Sequence, residues 1–341
     1  MQNTKSGNLC LTNAKSLLYL LMVFFSVLSL IPATGCAKKT GPQKLQIAVI
    51  PKGTTHEFWK SIHAGAIRAA RELDVDIIWK GPQREDDREQ QVMVVEDFIS
   101  RGVDGIVLAP LDDRALMVPV REASQANIPV AIIDSALQGQ DFVSFISTDN
   151  YRGGVLGARK LGEILQGKGK IILMRCQEGS ASTMEREQGF LDTIAKEFPQ
   201  FEFLSKDQFG GATVETAYKL AENLLSRFPE VAGIFTPNES TTFATLRALQ
   251  EANLAGKVKF VGFDSSVKLV EAMKQGLIQG LVLQNPFNMG YLGVKKLVTF
   301  IREKTIEKRI DTGAYLATQE NMEQPDIRNL LLPDLSKYIK E

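Results

Sequence analysis

Apolar residues in this chain come in short runs, and between the runs they recur at helical spacing. The runs begin near Ile47, Val75, Val103 and Ile128, and again near Lys170, Phe201, Val231 and Val258. A repeat of roughly 26 to 30 residues is the length of a strand and a crossover helix, so it predicts parallel sheets. Between Phe58 and Leu73, the residues Ile62, Ala66, Ala69 and Leu73 fall on one helical face. Phe243, Leu246 and Leu249 do the same within Ser240 to Ala252, while Arg247 and Gln250 point elsewhere.

The first residues break this pattern. Lys5 and Lys15 accompany an apolar run from Leu17 to Ile31, which ends at Pro32, Ala33, Thr34, Gly35 and Cys36. A run that short, ending in small residues, is an export signal rather than a stop-transfer helix. Residues 1–35 are read as the signal, and 36–43 as a polar tether containing Gly41 and Pro42. Ala33-Thr34-Gly35-Cys36 resembles a bacterial lipobox, although Ala33 stands where leucine is commonest. The resemblance makes Cys36 a lipidated N-terminus and a membrane anchor. An ordinary signal peptide cut near Gly35, or an uncleaved anchor helix, is the alternative.

Forty basic and forty acidic side chains cancel, without a long run of either sign, so the chain carries no electrostatic footprint for nucleic acid. With Cys10 in the signal and Cys36 modified, Cys176 has no intramolecular partner and reads as a small core residue. The two histidines, His56 and His63, lack companions at ligand spacing, so neither a metal nor a cofactor is expected. Lys52-Gly53-Thr54 lacks the glycine of a phosphate-binding loop and reads as a plain loop, and no G-x-S-x-G elbow occurs.

Four apolar runs end at polar side chains: Asp134, Asn238, Asp264 and Gln284. The carboxyl ends of strands are where open α/β sheets hold ligands. Acids and amides form paired hydrogen bonds with hydroxyls, and the rings of Phe58, Trp59 and Phe209 offer flat apolar faces, a combination suited to a small polyhydroxylated molecule. Adjacent aromatics on a helix do not share a face, so Phe58 and Trp59 are not both expected in a core. Asp264, followed by Ser265-Ser266-Val267, reads equally well as a helix N-cap. Asp134 and Asp264 also admit a glycosidase reading, but no nucleophile motif accompanies them.

The chain divides near Ile146 to Asn150, where Gly153-Gly154 allows either a close backbone approach or simple helix–sheet packing. The helical stretch Met289 to Arg302 fits either half. The tail from Gln319, with Pro325 and Pro333, is expected along the surface.

Several short motifs together carry a family resemblance. His56-Glu57-Phe58-Trp59 follows the first strand, Asp134 ends PVAIIDS, Arg186 lies in EREQGF, Phe209 sits in a loop, Asn238 lies in PNE, Asp264 ends VGFD, and Gln284 follows at the hinge. From Lys44 to about Thr318 the chain resembles periplasmic sugar-binding proteins of the ribose-binding type, relatives of the ligand domains of LacI-type regulators. The resemblance implies an α/β fold of two similar doubly wound parallel-sheet lobes joined by a three-segment hinge. The lobes would be 44–147 plus 285–313, and 148–284 plus 314–341. It implies a ligand set of His56, Phe58, Trp59, Asp134, Arg186, Phe209, Asn238, Asp264 and Gln284. Two departures stand out: Ser135 replaces an arginine, and His56 an asparagine. Both alter the hydrogen bonds around a sugar ring, so a monosaccharide or related polyol is expected rather than ribose itself.

The resulting expectation is a non-enzymatic, monomeric, lipid-anchored binding protein of the periplasm or cell envelope that delivers its sugar to an ABC permease. A sensor presenting ligand to a membrane receptor or kinase is the alternative, and an exported hydrolase a distant third.

Overall fold

The computed structural model describes residues 44–339, so the signal segment, the tether and Cys36 lie outside the described residues. The first half runs β1 (Gln46–Ile50), α1 (Glu57–Leu73), β2 (Asp76–Trp79), α2 (Arg88–Arg101), β3 (Gly105–Leu108), α3 (Met117–Gln125), β4 (Val130–Ile133) and β5 (Ser144–Ser147). The second half repeats the plan as α4 (Asn150–Ile164), β6 (Lys168–Leu173), α5 (Ala181–Glu197), β7 (Gln200–Ser205), α6 (Val214–Arg227), β8 (Gly233–Phe235), α7 (Glu239–Glu251), β9 (Lys259–Phe263), α8 (Val267–Lys274) and β10 (Gly280–Leu283). The chain ends with α9 (Pro286–Glu303), β11 (Arg309–Asp311), β12 (Tyr315–Ala317) and α10 (Pro325–Leu331).

Two six-stranded sheets result, with the orders β11-β5-β4-β3-β1-β2 and β12-β10-β9-β8-β6-β7. Each is covered on both faces, which is why its strands read as unbroken apolar runs instead of alternating ones. In β1, Ile47 and Val49 join the cluster under α1 and α9, while Ala48 and Ile50 join the cluster with Val95 and Phe98 of α2. Three segments pass between the sheets: after β5, after β10, and between β11 and β12. The helix that periodicity alone leaves unassigned and the family resemblance gives to the first lobe, α9, lies on the first sheet against α1, β3, β4 and β5.

One strand departs from the all-parallel expectation. β12 runs antiparallel to β10. It follows β11 after three residues, too few for a crossover helix, so the chain enters the second sheet running opposite to the strands that point at the crevice.

Glycines bring two helix pairs into backbone contact. A Cβ on Gly154 of α4 would meet the Arg186 carbonyl oxygen of α5 at 1.9 Å, and one on Gly65 of α1 would meet the Phe287 carbonyl oxygen of α9 at 1.9 Å. Gly153 instead faces the Phe263 ring, so the Gly pair serves both a helix contact and a sheet contact.

The tail does not simply follow the surface. Met322 and Leu331 are buried in the core of the second sheet. The chain then returns to the first lobe, where the Lys337 carbonyl accepts a hydrogen bond from Arg71 of α1 (2.9 Å) and the Tyr338 ring lies 5.4 Å from that of Phe287.

Candidate functional site

Each sheet turns the carboxyl ends of its strands, and the amino ends of the following helices, toward the other lobe. The segments after β1, β2 and β4, loops and helix starts together, bring Lys52, His56, Phe58, Trp59, Glu85 and Asp134, and those after β6, β8, β9 and β10 bring Arg186, Asn238, Glu239, Asp264 and Gln284. All line one crevice, whose remaining free space is about 30 Å³. That is room for about one water, because the polar groups of the two lobes are engaged with each other.

Helix ends explain part of this engagement. The first N–H groups of a helix have no partner within it. In α1 the Phe58 amide donates to Glu239 Oε2 of the other lobe (3.2 Å), and in α5 the Ser182 amide donates to Ser135 Oγ of the first lobe (3.0 Å). Both are second residues of their helices, so each lobe caps a helix of the other. Backbone meets backbone across the crevice at Gly179, φ +86°, whose carbonyl accepts from the Asp113 amide at 2.9 Å. A Cβ there would come within 2.3 Å of Asp112 Oδ2.

Lys52, read from sequence as part of a plain loop, is buried and central. Its ammonium pairs with Asp134 Oδ2 at 2.8 Å and donates to Ser182 Oγ at 3.0 Å and Ser180 Oγ at 3.4 Å. It therefore supplies a cation beside Asp134 although Ser135 carries none. Arg186 is also buried. It donates to Asn150 Oδ1 (2.8 Å) and the Pro237 carbonyl (3.0 Å), and its guanidinium lies 4.1 Å from the Phe263 ring centroid. Arg186 Nη2, 4.0 Å from Asp134 Oδ1, has no hydrogen-bond partner, and neither has Gln284 Oε1.

Asp264 is not the N-cap of the helix that follows it. Ser266 caps α8, while the Asp264 carboxylate accepts from Gln284 Nε2 (2.7 Å) and the Glu239 amide (3.0 Å). Burial raises its pKa, with Arg186 and the Gln284 bond opposing and Asp134 adding. Asn238 does cap α7, and its amide is taken up locally, accepting from Thr241 and donating to Ser240. Glu239, beside it, is held by burial at a pKa of about 7, against the pull of His56.

His56 and Glu85 form a salt bridge at 2.6 Å, and Trp59 Nε1 donates to the same Glu85 oxygen at 2.5 Å. Burial alone would lower the His56 pKa, but the charge and hydrogen bond of Glu85 overcome it, and with Glu239 and Asp264 they raise it to about 9. Burial likewise works to raise the Glu85 pKa, and His56, Trp59 and Lys52 bring it below its ordinary value. Trp59 and Phe58 are both buried, against expectation, with rings edge to face at 4.9 Å. The expectation treated α1 as facing only its own sheet. Its first turn is instead covered from two sides, and the Trp59 ring is core at one end and polar at the other.

Phe209 is the sequence candidate that the structure leaves outside the crevice. The residue is 41% exposed, and the Arg175 guanidinium lies over its ring at 4.3 Å. Arg175 is oriented by Glu187 (2.6 Å), which ties the ring to the second lobe's loop. Cys176 lines the crevice, buried, with its pKa raised by that burial. Besides Lys52, sequence reasoning missed Glu85, Gln177, Ser180, Ser182 and Glu239. Lys52 follows a strand just as Asp134 does, and that position was its signal. Among the described residues no three His, Cys, Asp or Glu side chains gather as metal ligands.

Comparison with known proteins agrees with this architecture. Residues 47–305 match the family described as periplasmic binding protein domain. Ribose import binding protein RbsB of Bacillus subtilis (strain 168) is 26% identical over 271 residues, 77% of this chain and 84% of that protein. A carbohydrate transporter solute binding protein from Agrobacterium radiobacter, solved in complex with D-arabinose, is 31% identical with a TM-score of 0.83, over 86% of this chain and 100% of that one. An ABC transporter solute binding protein from Agrobacterium vitis with bound D-fucose is 33% identical with a TM-score of 0.81, over 84% and 100%. These relatives are sugar-binding components of transport systems and not enzymes, and the chain belongs to the periplasmic binding protein domain family.

Proposed function

We propose that this protein captures a monosaccharide or related polyol between its lobes and, anchored through a lipid on Cys36, hands it to an ABC importer. One observation carries the sugar reading. Two buried polar atoms on the crevice walls, the donor Arg186 Nη2 and the acceptor Gln284 Oε1, lack hydrogen-bond partners. Leaving such atoms unpaired costs about 1 to 3 kcal/mol each, and a hydroxyl, which donates and accepts, satisfies both kinds. Asp134 and Asp264 stand beside them, and the edge-to-face rings of Phe58 and Trp59 offer apolar surface for the C–H groups of a ring.

The guest would replace contacts that now bind lobe to lobe, so opening precedes capture and closure excludes water from the new bonds. Relatives that bind ribose, arabinose and fucose support the same class. Calorimetry against pentoses, hexoses, polyols and inositols tests it, the expected outcome being one class bound near micromolar, about 8 kcal/mol. No binding by any member overturns the reading. Mass spectrometry of the mature protein tests the anchor: a diacylglyceryl Cys36 as first residue is expected.

A further inference from the structure

A second and larger cavity, of about 300 Å³, adjoins the crevice beneath the returning tail. Its volume reaches the range of small-molecule sites, ten times that left in the crevice. Phe58, Asp264 and Gln284 line both spaces, so they are separated by side chains and not by backbone layers. The tail lines one side with leucines and a proline from Leu330 to Leu335, and, Ser61 apart, the other polar residues of the lining are already engaged, Glu57 with Lys60, Ser265 with the Leu330 carbonyl and Ser266 with the Leu269 amide.

Ser61, in the second turn of α1, faces this cavity with its hydroxyl buried and unpartnered. Gln284 Oε1, on the shared wall, is unpartnered too, its amide nitrogen being committed to Asp264. The groups left unpartnered on the polar edge are thus one that donates and accepts and one that only accepts, which matches a single hydroxyl or ether-bearing carbon. The leucine wall offers nothing to further hydroxyls, so a second sugar ring would bury its own polar groups unpaired there.

We infer that the cavity is a subsite for an apolar substituent, a short alkyl chain or an aryl ring, carried by a polyol or sugar whose hydroxyls occupy the crevice. This rests on the sugar-binding reading above and narrows it: the preferred guest is a substituted sugar, not the free one. The tail is the wall that makes the distinction. Pinned through Leu331 to the second sheet and through Tyr338 to Phe287 of the first lobe, it closes over the substituent when the lobes meet.

The test is titration calorimetry of the intact protein with pentoses and hexoses, each against its methyl, butyl and phenyl glycoside. Each methylene buried is worth roughly a fourfold gain, so a butyl or phenyl glycoside of at least one sugar is expected to bind about tenfold or more tighter than its parent. Leu332→Asp, at an exposed edge of the wall, is expected to erase that gain and leave the parent sugar within about twofold. Ser61→Ala serves as a second variant, expected to weaken the glycosides alone. If the parent sugar binds and no glycoside binds more tightly, or if the gain survives Leu332→Asp, the inference is overturned while the sugar reading stands. If neither parents nor glycosides bind, both fall together.

Discussion

Asp134 and Asp264 occupy the same place in their respective lobes and share one uncommon backbone conformation. Each follows the fourth strand of its half, with φ of +63° and +65°, and each donates its amide to the neighbouring strand, to the Ile146 carbonyl at 3.1 Å and the Val282 carbonyl at 2.8 Å. Outside glycine this left-handed region is uncommon, and aspartate tolerates it better than most. Such conformations gather at ligand sites, where the surroundings hold them. The turn swings both carboxylates into the crevice, one to Lys52 and the other to Gln284.

Glycine and alanine at position 264 are therefore expected to behave differently. Both remove the carboxylate, and both should abolish detectable sugar binding. Only alanine retains the steric cost of a Cβ at φ +65°, so Asp264→Gly is expected to be more stable than Asp264→Ala by about 1 kcal/mol. Parallel urea unfolding of the two variants checks the order, and equal stabilities would remove strain from the explanation.

Much of this was readable before folding. The four strand-end residues stand out because an apolar run has a definite last member, and a parallel strand directs that member at the crevice. Glu85 is the opposite case: it lies in Arg84-Glu85-Asp86-Asp87, which reads as a solvated loop, and it is buried by His56, Trp59 and the Gln177 side chain reaching over from the other lobe (3.1 Å to the Glu85 carbonyl). Contacts made across the crevice leave no period in the sequence. Periodicity alone left the side taken by α9 open for a similar reason, since it depends on Gly65 and Gly290 meeting backbone far away in the chain, and only the family resemblance gave it to the first lobe.

Lys52 and Asp134 are a buried pair, and the loss of one partner should cost more than the loss of both. Lys52→Met leaves the Asp134 carboxylate without its 2.8 Å counter-ion, an expected destabilisation of about 3 kcal/mol. Adding Asp134→Asn removes the stranded charge and should recover at least about 1 kcal/mol of this in a double-mutant cycle. Additive losses would show that the two groups act independently. Either single variant is expected to weaken sugar binding at least tenfold.

Phe209 gives a contrast between resemblance and geometry. The family pattern makes it a ring stacked on the sugar, yet its face is occupied by Arg175 at 4.3 Å and it lies outside the crevice. Phe209→Ala is expected to leave the affinity within about threefold and to cost at most about 1 kcal/mol of stability, the worth of an exposed cation–π pair. A loss of two orders of magnitude in affinity would restore the stacking role and require the loop to move on binding.

The pH dependence of stability should rest on His56 and Glu239 acting in the same direction. A histidine raised from 6.5 to about 9 prefers its charged form in the folded state, so its contribution is full below pH 6.5 and is lost as pH climbs through 9. Glu239, raised from 4.5 to about 7, prefers its neutral form, so its contribution is full below pH 4.5 and is lost as pH climbs through 7. Glu85, lowered by its partners, contributes above pH 4.5 and is lost only on further acidification. Stability is therefore expected to be greatest on the acidic side of neutrality and to fall toward pH 9, with His56 alone accounting for on the order of 3 kcal/mol. His56→Gln should flatten the curve between pH 6.5 and 9, and Glu239→Gln the part between 4.5 and 7. Melting temperatures of the three proteins from pH 4.5 to 9.5 separate these windows. Parallel curves for wild type and His56→Gln would show that the histidine carries no charge in the folded protein near neutral pH, and that the 2.6 Å bridge to Glu85 does not hold it protonated.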